Sequence, residues 1–214
     1  MLPRILYKAF QHREYAECFI KGNIRFSTLE FYKNIEDGRR QDVTEGYGEA
    51  KRNGEKMIVD LRKEKFYSCP GIENLYVQSF EKDRFICCFS SPIDGDVESL
   101  PNKFGVYYVV VNDVAQLFSD IEIAMKNDIE LQKNSPCLEV SYVRYDKSEY
   151  VGNLTEESEI QKLSWAQKPA KYSEEREFRF QYLFSFSELL GSPKTYTLKL
   201  GKNLAYCQVI ERAT

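Results

Sequence analysis

The sequence of 214 residues has only one histidine, His12, and only one tryptophan, Trp165. Nucleophilic catalysis of the Ser-His or Cys-His type needs a histidine beside the nucleophile, so His12 would have to serve any such site. The chain also lacks a G-x-S-x-G segment, which typically presents a nucleophilic serine on a sharp turn. These absences argue against serine and cysteine hydrolases.

Glycine-rich phosphate-binding motifs are absent as well. The chain has no G-x-G-x-x-G between a strand and a helix, and no G-x-x-x-x-G-K-[ST]. A nucleotide held by either of these two devices is therefore not indicated.

The six cysteines include no C-x-x-C pair and show no regular spacing. With one histidine available, this pattern argues against a zinc site and predicts reduced thiols, as in a cytosolic protein. No apolar run approaches the roughly 18 residues of a membrane span, and residues 1–10 lack the apolar core of a signal peptide. We therefore expect a soluble, cytoplasmic protein with no membrane partner.

Charge and composition narrow the class further. A net charge of −3 argues against a broad nucleic-acid or anionic-membrane surface. Hydrophobic residues make up 43% of the chain and aromatic residues 14%, with 15 Tyr and 14 Phe, which favours strands around a normal core. The length suits a single domain spanning 1–214.

Hydrophobic periodicity predicts an α+β fold with mixed or antiparallel sheets and about three helices. The predicted strands include 4–10, 23–34, 84–91, 103–111 and 137–145. The predicted helices are 12–22, which ends at a glycine, 114–127, which is capped by Asn112 or Asp113, and 155–168. Residues 36–56 combine four glycines with a dense mixture of both charges and predict a long polar loop. Arg40, Asp42 and Glu45 are its candidate functional residues.

Residues 165–182 are the most informative stretch of the chain. If the segment is extended, Glu175, Glu177 and Arg179 share one face, while Phe178 and Phe180 lie on the other. Carboxylates are seldom buried without a partner. The face is therefore either an edge with cross-strand ion pairs or part of a site in a cleft.

Three segments together resemble the arginine, serine-threonine and glutamate arrangement of ADP-ribosyltransferases that use NAD. They are Arg4 before the first strand, Ser27-Thr28 followed by Tyr32 or Phe31, and Glu175-x-Glu177. The resemblance implies that Arg4, Ser27, Thr28 and an aromatic residue, Tyr32 or Phe31, help to hold NAD as a substrate. It implies that Glu177 stabilises the oxocarbenium-like ribose and that Glu175 orients the acceptor, which could be protein, nucleic acid or water.

The chain also resembles a poorly characterised bacterial family of small proteins. Members share an L-Y-K strand, an R-x-D-x-x-E-G loop and a K-x-x-x-Y-x-x-E-x-E-[FW]-R motif. Here the first is Leu6-Tyr7-Lys8, the second runs from Arg40 to Gly46, and the third runs from Lys168 to Arg179. Members look like components of phage-defence or mobile-element systems, so the resemblance implies a role in such a conflict.

Two other functions remain open. In a Mg²⁺-dependent nuclease or phosphodiesterase, carboxylates would supply the oxygen ligands, with Lys168 or Lys171 near the phosphate. The candidate ligands are Asp42, Glu45, Glu175 and Glu177. A non-catalytic module would instead bind a nucleotide or a protein partner. In the NAD reading, Arg4, Lys168 or Arg179 would neutralise the pyrophosphate.

Overall fold

A computed structural model describes most of the chain. The described residues are 2–33, 47–53, 57–60, 65–68, 74–80, 84–92, 97–100, 104–133, 136–145, 166, 168, 170–183 and 194–212. Within these ranges no helix is long and apolar enough to cross a membrane.

The described chain is α+β, as the periodicity predicts, and its strands pair antiparallel. The strands are β1 Leu6–Phe10, β2 Asn23–Thr28, β3 Tyr47–Asn53, β4 Met57–Asp60, β5 Lys65–Ser68, β6 Asn74–Phe80, β7 Arg84–Ser90, β8 Tyr107–Val111, β9 Glu139–Tyr142, β10 Glu177–Leu183, β11 Thr195–Lys199 and β12 Cys207–Glu211. The helices are α1 Arg13–Ile20, α2 Leu29–Lys33, α3 Val114–Asn127 and α4 Ile129–Gln132, with 3₁₀ segments at Val97–Ser99 and Ala170–Glu175.

The helix count of about three is too low for this part of the chain. The short helices α2 and α4 were not predicted, because one turn of helix leaves little periodicity in a sequence. The predicted helix at 155–168 falls largely on 155–165, outside the described residues.

Strand β7 organises the main, eight-stranded sheet. β10 pairs with β7 along its whole length, from Glu177 opposite Ser90 to Leu183 opposite Arg84. A strand has two edges, so β1 and β2 must share the other one. β2 pairs there with residues 85–86, and β1 pairs at Ser90. The sheet is therefore split beside residues 87–89, where β1 and β2 diverge.

One face of this sheet carries the main apolar core. Alternate residues of the strands pack there against α1, α3 and α4, so the helices cover this face. Phe178 and Phe180 of β10 are both buried in this core, where Phe180 packs against Phe89 of β7. Cys87 joins the same core and Cys88 packs on the opposite face, as expected of adjacent strand residues.

Local chemistry explains the helix boundaries. The Asp113 side chain accepts a hydrogen bond from the Gln116 main-chain N–H at 2.9 Å, which caps α3 as predicted. Thr28 does the same for α2, since its Oγ1 accepts from the Phe31 N–H at 3.1 Å. The predicted strand 23–34 is therefore wrong from Leu29 to Lys33. Threonine is a favoured residue at the start of a helix, and the alternation of the segment concealed this signal.

The predicted loop 36–56 is wrong in its second half. Residues 47–53 form β3, which pairs antiparallel with β6 from Tyr47 opposite Phe80 to Asn53 opposite Asn74. This pairing joins segments more than twenty residues apart. Its main-chain hydrogen bonds leave no trace in local composition, so a charged, glycine-containing segment was mistaken for a loop.

Gly22 ends α1 in a left-handed conformation, with φ +81°, and its N–H donates to the Phe19 oxygen at 2.8 Å. A Cβ atom at this position would overlap the main-chain oxygen of Lys202. Gly201 is a matched case, because its φ is +70° but a Cβ there would meet nothing within 4 Å.

We therefore expect Gly22→Ala to destabilise the protein by at least about 1 kcal/mol more than Gly201→Ala. Both variants carry the left-handed cost of about 1–2 kcal/mol, but only Gly22→Ala forces two main-chain segments apart. Urea unfolding measures both free energies. Equal losses for the two variants would contradict the close packing of α1 against the segment before β12.

Candidate functional site

A cavity of about 150 Å³ opens at the split in the sheet. Its walls come from β1, β7 and β10, together with α2 and the 3₁₀ segment before β10. The lining includes Tyr7, Lys8, Tyr32, Cys88, Phe89, Phe104, Lys168, Glu175, Glu177 and Arg179. An engineered cavity of about this size takes one benzene molecule, so this one suits a single six-membered ring.

The carboxylates reach the cavity from two kinds of backbone. Glu177 and Arg179 alternate with the core residues of β10 and lie on the face away from the main core, as predicted. Glu175 was predicted on the same strand, and this is wrong. It ends the 3₁₀ segment, and Arg176, with φ 45°, turns the chain into β10. Left-handed backbone at a non-glycine residue costs about 1–2 kcal/mol, and such strain clusters at functional sites.

A buried ion network connects these side chains. Arg179 Nε donates to Glu177 Oε1 at 2.7 Å. Lys168 Nζ lies 2.7 Å from Glu177 Oε2 and 2.8 Å from Glu175 Oε2, so one ammonium joins both carboxylates. Arg179 has no exposed surface, and the other three side chains are also buried. Charges taken out of water must be compensated in this way.

The main chain of Glu177 is fixed on two sides. Its N–H donates to the Tyr145 hydroxyl at 2.7 Å, and its carbonyl accepts from the Val143 N–H at 3.0 Å. The segment that carries Lys168 is tied to the same region, because the Lys168 N–H donates to the Arg144 carbonyl at 2.8 Å. The ion network is therefore built on two anchored segments.

The electrostatics keep Glu177 ionised. Burial alone would raise the pKa of its carboxyl, but Arg179 and Lys168 outweigh burial and hold this pKa well below its usual range. The Cys88 thiol also hydrogen-bonds this carboxylate. Burial, followed by the Glu177 charge, raises the pKa of Cys88 well above its usual value. Cys88 is therefore a protonated thiol at neutral pH, which makes it a poor nucleophile.

The predicted strand-two residues meet the cavity through α2. Tyr32 lines it, while Ser27 is buried and shares a side-chain hydrogen bond with Tyr32. Burial raises the pKa of Tyr32, so its phenol stays protonated. Thr28 contributes the helix cap described above. Phe31, the alternative aromatic residue, lies under the Arg25 guanidinium at 5.4 Å and is not part of the lining.

Lys8 contributes a charge beside the split. Its Nζ donates to the Cys88 main-chain oxygen at 2.9 Å and lies 5.1 Å from the centre of the Phe89 ring. Buried main-chain acceptors need partners, and here a side chain supplies the bond where the strands diverge. The cavity thus faces three cations, with Lys8 beside Lys168 and Arg179, and the two carboxylates.

Other predicted site residues lie elsewhere. Arg4 is exposed, precedes β1 and does not line the cavity, so the structure does not bring it to Glu177. Arg40, Asp42 and Glu45 fall outside the described residues. Within the described ranges, no group of three or more His, Cys, Asp or Glu side chains is placed to hold a metal ion.

Three contributors escaped the sequence analysis, namely Lys8 as a cavity cation, the Cys88 thiol and the Tyr145 hydroxyl. Lys8 lies in the L-Y-K strand, and the pattern of that strand by itself assigns no role to the lysine. The roles of Cys88 and Tyr145 depend on strand pairing and on a turn far away in the chain, so their local sequence carries no signal.

Chemically, the site offers a ring-sized space with aromatic walls and a carboxylate that remains charged at neutral pH. Such a carboxylate can stabilise a positive charge that develops next to it. Because it is fully ionised and tightly paired, it is poorly suited to accept a proton as a general base. Comparisons with protein-family models, curated proteins and solved structures find no match for this chain.

The lowered pKa of Glu177 predicts an acid-sensitive contribution to stability. A glutamate in the unfolded chain titrates at about pH 4.3. Below about pH 5 this residue therefore binds a proton in the unfolded chain, whereas Glu177 in the folded protein stays ionised. We expect the free energy of unfolding to fall as the pH drops from 5 to 3, and to fall less steeply in Glu177→Gln. Urea unfolding at each pH measures this.

The control is Glu122→Gln, since Glu122 forms an exposed ion pair with Lys126 on α3 at 3.4 Å. Exposed pairs contribute little, so this variant should keep the wild-type slope. A Glu177→Gln protein with an unchanged slope would show that Glu177 is not held ionised in the folded state.

Proposed function

We propose that this protein cleaves NAD, with the nicotinamide ring in the cavity and Glu177 beside the ribose. In the reaction the bond between ribose C1′ and the ring nitrogen breaks, and its electron pair leaves with nicotinamide. The positive charge that develops on the ribose is stabilised by the Glu177 carboxylate. Water or an acceptor group on a protein or nucleic acid then bonds to C1′ and loses a proton.

The observation that carries this proposal is an ionised carboxylate, Glu177, in the wall of a cavity the size of one ring. The aromatic walls add a second argument. Tyr32 and Phe89 line the same space, and aromatic faces attract a cationic ring such as the nicotinamide of NAD. The lining cation Lys8 is suited to the anionic remainder of the dinucleotide, whereas Lys168 and Arg179 are already paired with carboxylates.

The proposal includes an ADP-ribosyltransferase-like fold. Its support is that three regions named by the resemblance border one cavity, namely β1, the helix α2 that follows β2, and the start of β10. Arg4 takes no part in this arrangement. Lys8, which lies four residues after Arg4 and within β1, lines the cavity instead. A role in phage or mobile-element conflict stays a prediction.

A binding module without catalysis is the second candidate, and one observation favours it. Both oxygens of Glu177 already contact cations, Oε1 with Arg179 and Oε2 with Lys168. Such pairing also occurs where carboxylates have a purely structural role. In that case the cavity would bind NAD, or a similar nucleotide, and leave it intact.

The test of the enzyme proposal is nicotinamide release from NAD by the purified protein, with and without cell lysate as a source of acceptor. We expect release by the wild type and a loss of about a hundredfold or more in Glu177→Gln, because the amide carries no charge to stabilise the ribose. Melting temperatures of the same samples show whether the variant is folded.

The control variant is Glu174→Gln, because Glu174 is exposed on the same 3₁₀ segment and does not line the cavity. It should release nicotinamide at the wild-type rate. Equal release by the wild type and folded Glu177→Gln would refute the role of Glu177. NAD binding with no release from any sample would instead identify the binding module.

A further inference from the structure

Lys168 holds the two cavity carboxylates together. Its ammonium contacts Glu177 Oε2 at 2.7 Å and Glu175 Oε2 at 2.8 Å, so the two oxygens lie close to each other. Without the ammonium, two like charges at this spacing would repel each other and oppose their joint ionisation. Lys168 is therefore what allows Glu175 and Glu177 to share the wall of a small cavity as two carboxylates.

A ligand group that contacts Glu177 must compete with a cation that is already bound there. Arg179 is poorly placed to release Glu177, because it is fully buried and lies in a strand that pairs with β7 and β9 on its two edges. Lys168 differs in two respects. Its side chain is 11% exposed at the cavity wall. Its main chain is bonded to Arg144 by one hydrogen bond and does not lie within a long strand.

The Lys168 side chain can move while its main chain stays in place. The N–H bond to the Arg144 carbonyl fixes the backbone, whereas the ammonium sits on a flexible four-carbon stem. Glu175 offers the ammonium a second carboxylate only a short distance away. When the ammonium of Lys168 releases Glu177, it therefore keeps Glu175 as a partner. A buried ammonium without a partner would be strongly unfavourable.

We infer that Lys168 is a positioning residue that joins Glu175 to Glu177 in the empty cavity and retreats to Glu175 when a cationic ring takes its place beside Glu177. This inference rests on the proposed function, because the cationic ring is the nicotinamide of NAD. It assigns Lys168 control over the charge preference of the cavity. A bound ammonium lowers the affinity for a cation and leaves the affinity for a neutral ring of the same shape unchanged.

The experiment compares two ring probes by calorimetry at pH 7.5: 1-methylnicotinamide, which is methylated on the ring nitrogen and is a permanent cation, and nicotinamide, which is neutral. In Lys168→Met, which keeps an unbranched side chain one atom shorter and removes its charge, we expect about tenfold tighter binding of the cation. The affinity for nicotinamide should change by less than about twofold. Lys168→Arg, which retains the charge, should keep the wild-type ratio of the two affinities.

A double variant protects the test against misfolding. Lys168→Met with Glu175→Gln removes one cation and one carboxylate together, which leaves Glu177 paired with Arg179 and no charge unbalanced. It should also bind the cation more tightly than the wild type does, but by less than Lys168→Met, because the attraction of the Glu175 carboxylate is lost as well. The matched control is Lys202→Met, because Lys202 also pairs with a buried carboxylate, Asp120, at 2.7 Å but does not line the cavity. It should keep the wild-type ratio.

Each outcome decides the inference. A gain confined to the cationic probe supports it, whether or not the wild type releases nicotinamide from NAD. If that gain occurs without NAD cleavage, the enzyme proposal fails while the role of Lys168 stands. A proportional loss for both probes in the folded variants would mean that Lys168 is merely structural and would overturn the inference. The absence of binding by either probe to any variant would also overturn it.

Discussion

The buried contacts of Glu177 with Arg179 and Lys168 connect the sheet to the segment that lies over it. Arg179 comes from the same strand as Glu177, whereas Lys168 comes from a separately anchored segment that is bonded to Arg144. Each of these charges would be costly to bury alone, so each depends on an oppositely charged partner within the network. The position of the strand, the covering segment and the cavity wall therefore depend on one another.

The split in the sheet gives this network access to a ligand. β7 is paired with β10 along one edge, while β1 and β2 share the other edge and diverge. A continuous sheet would have filled the space beside residues 87–89 with strand. The divergence instead leaves room for a ring, with Lys8 satisfying a main-chain oxygen and Cys88 adding a thiol to the carboxylate.

Prediction from the sequence succeeded where the chain carries a strong local signal. The buried strand β7, the β8 strand and the capped helix α3 have clear apolar patterns, and Glu177 with Arg179 alternates correctly against Phe178. It failed where non-local contacts or short motifs decide, as at β3, at α2 and at the turn that places Glu175 before β10. The sequence also predicted Arg4 at the site. In the structure β1 begins at Leu6, so Arg4 lies before the strand and outside the cavity lining, and sequence order alone does not show this.

The sequence by itself determined the α+β class, the two faces of β10 and the choice of Glu177 as a candidate site residue. These follow from residue type and from the period of a strand, which are local properties. Only the tertiary structure decided that one ammonium joins two carboxylates, that Cys88 and Tyr145 support Glu177, and that the sheet opens at β7. These features depend on contacts between segments distant in the chain, and the energies of such contacts come from burial and pairing rather than from local propensity.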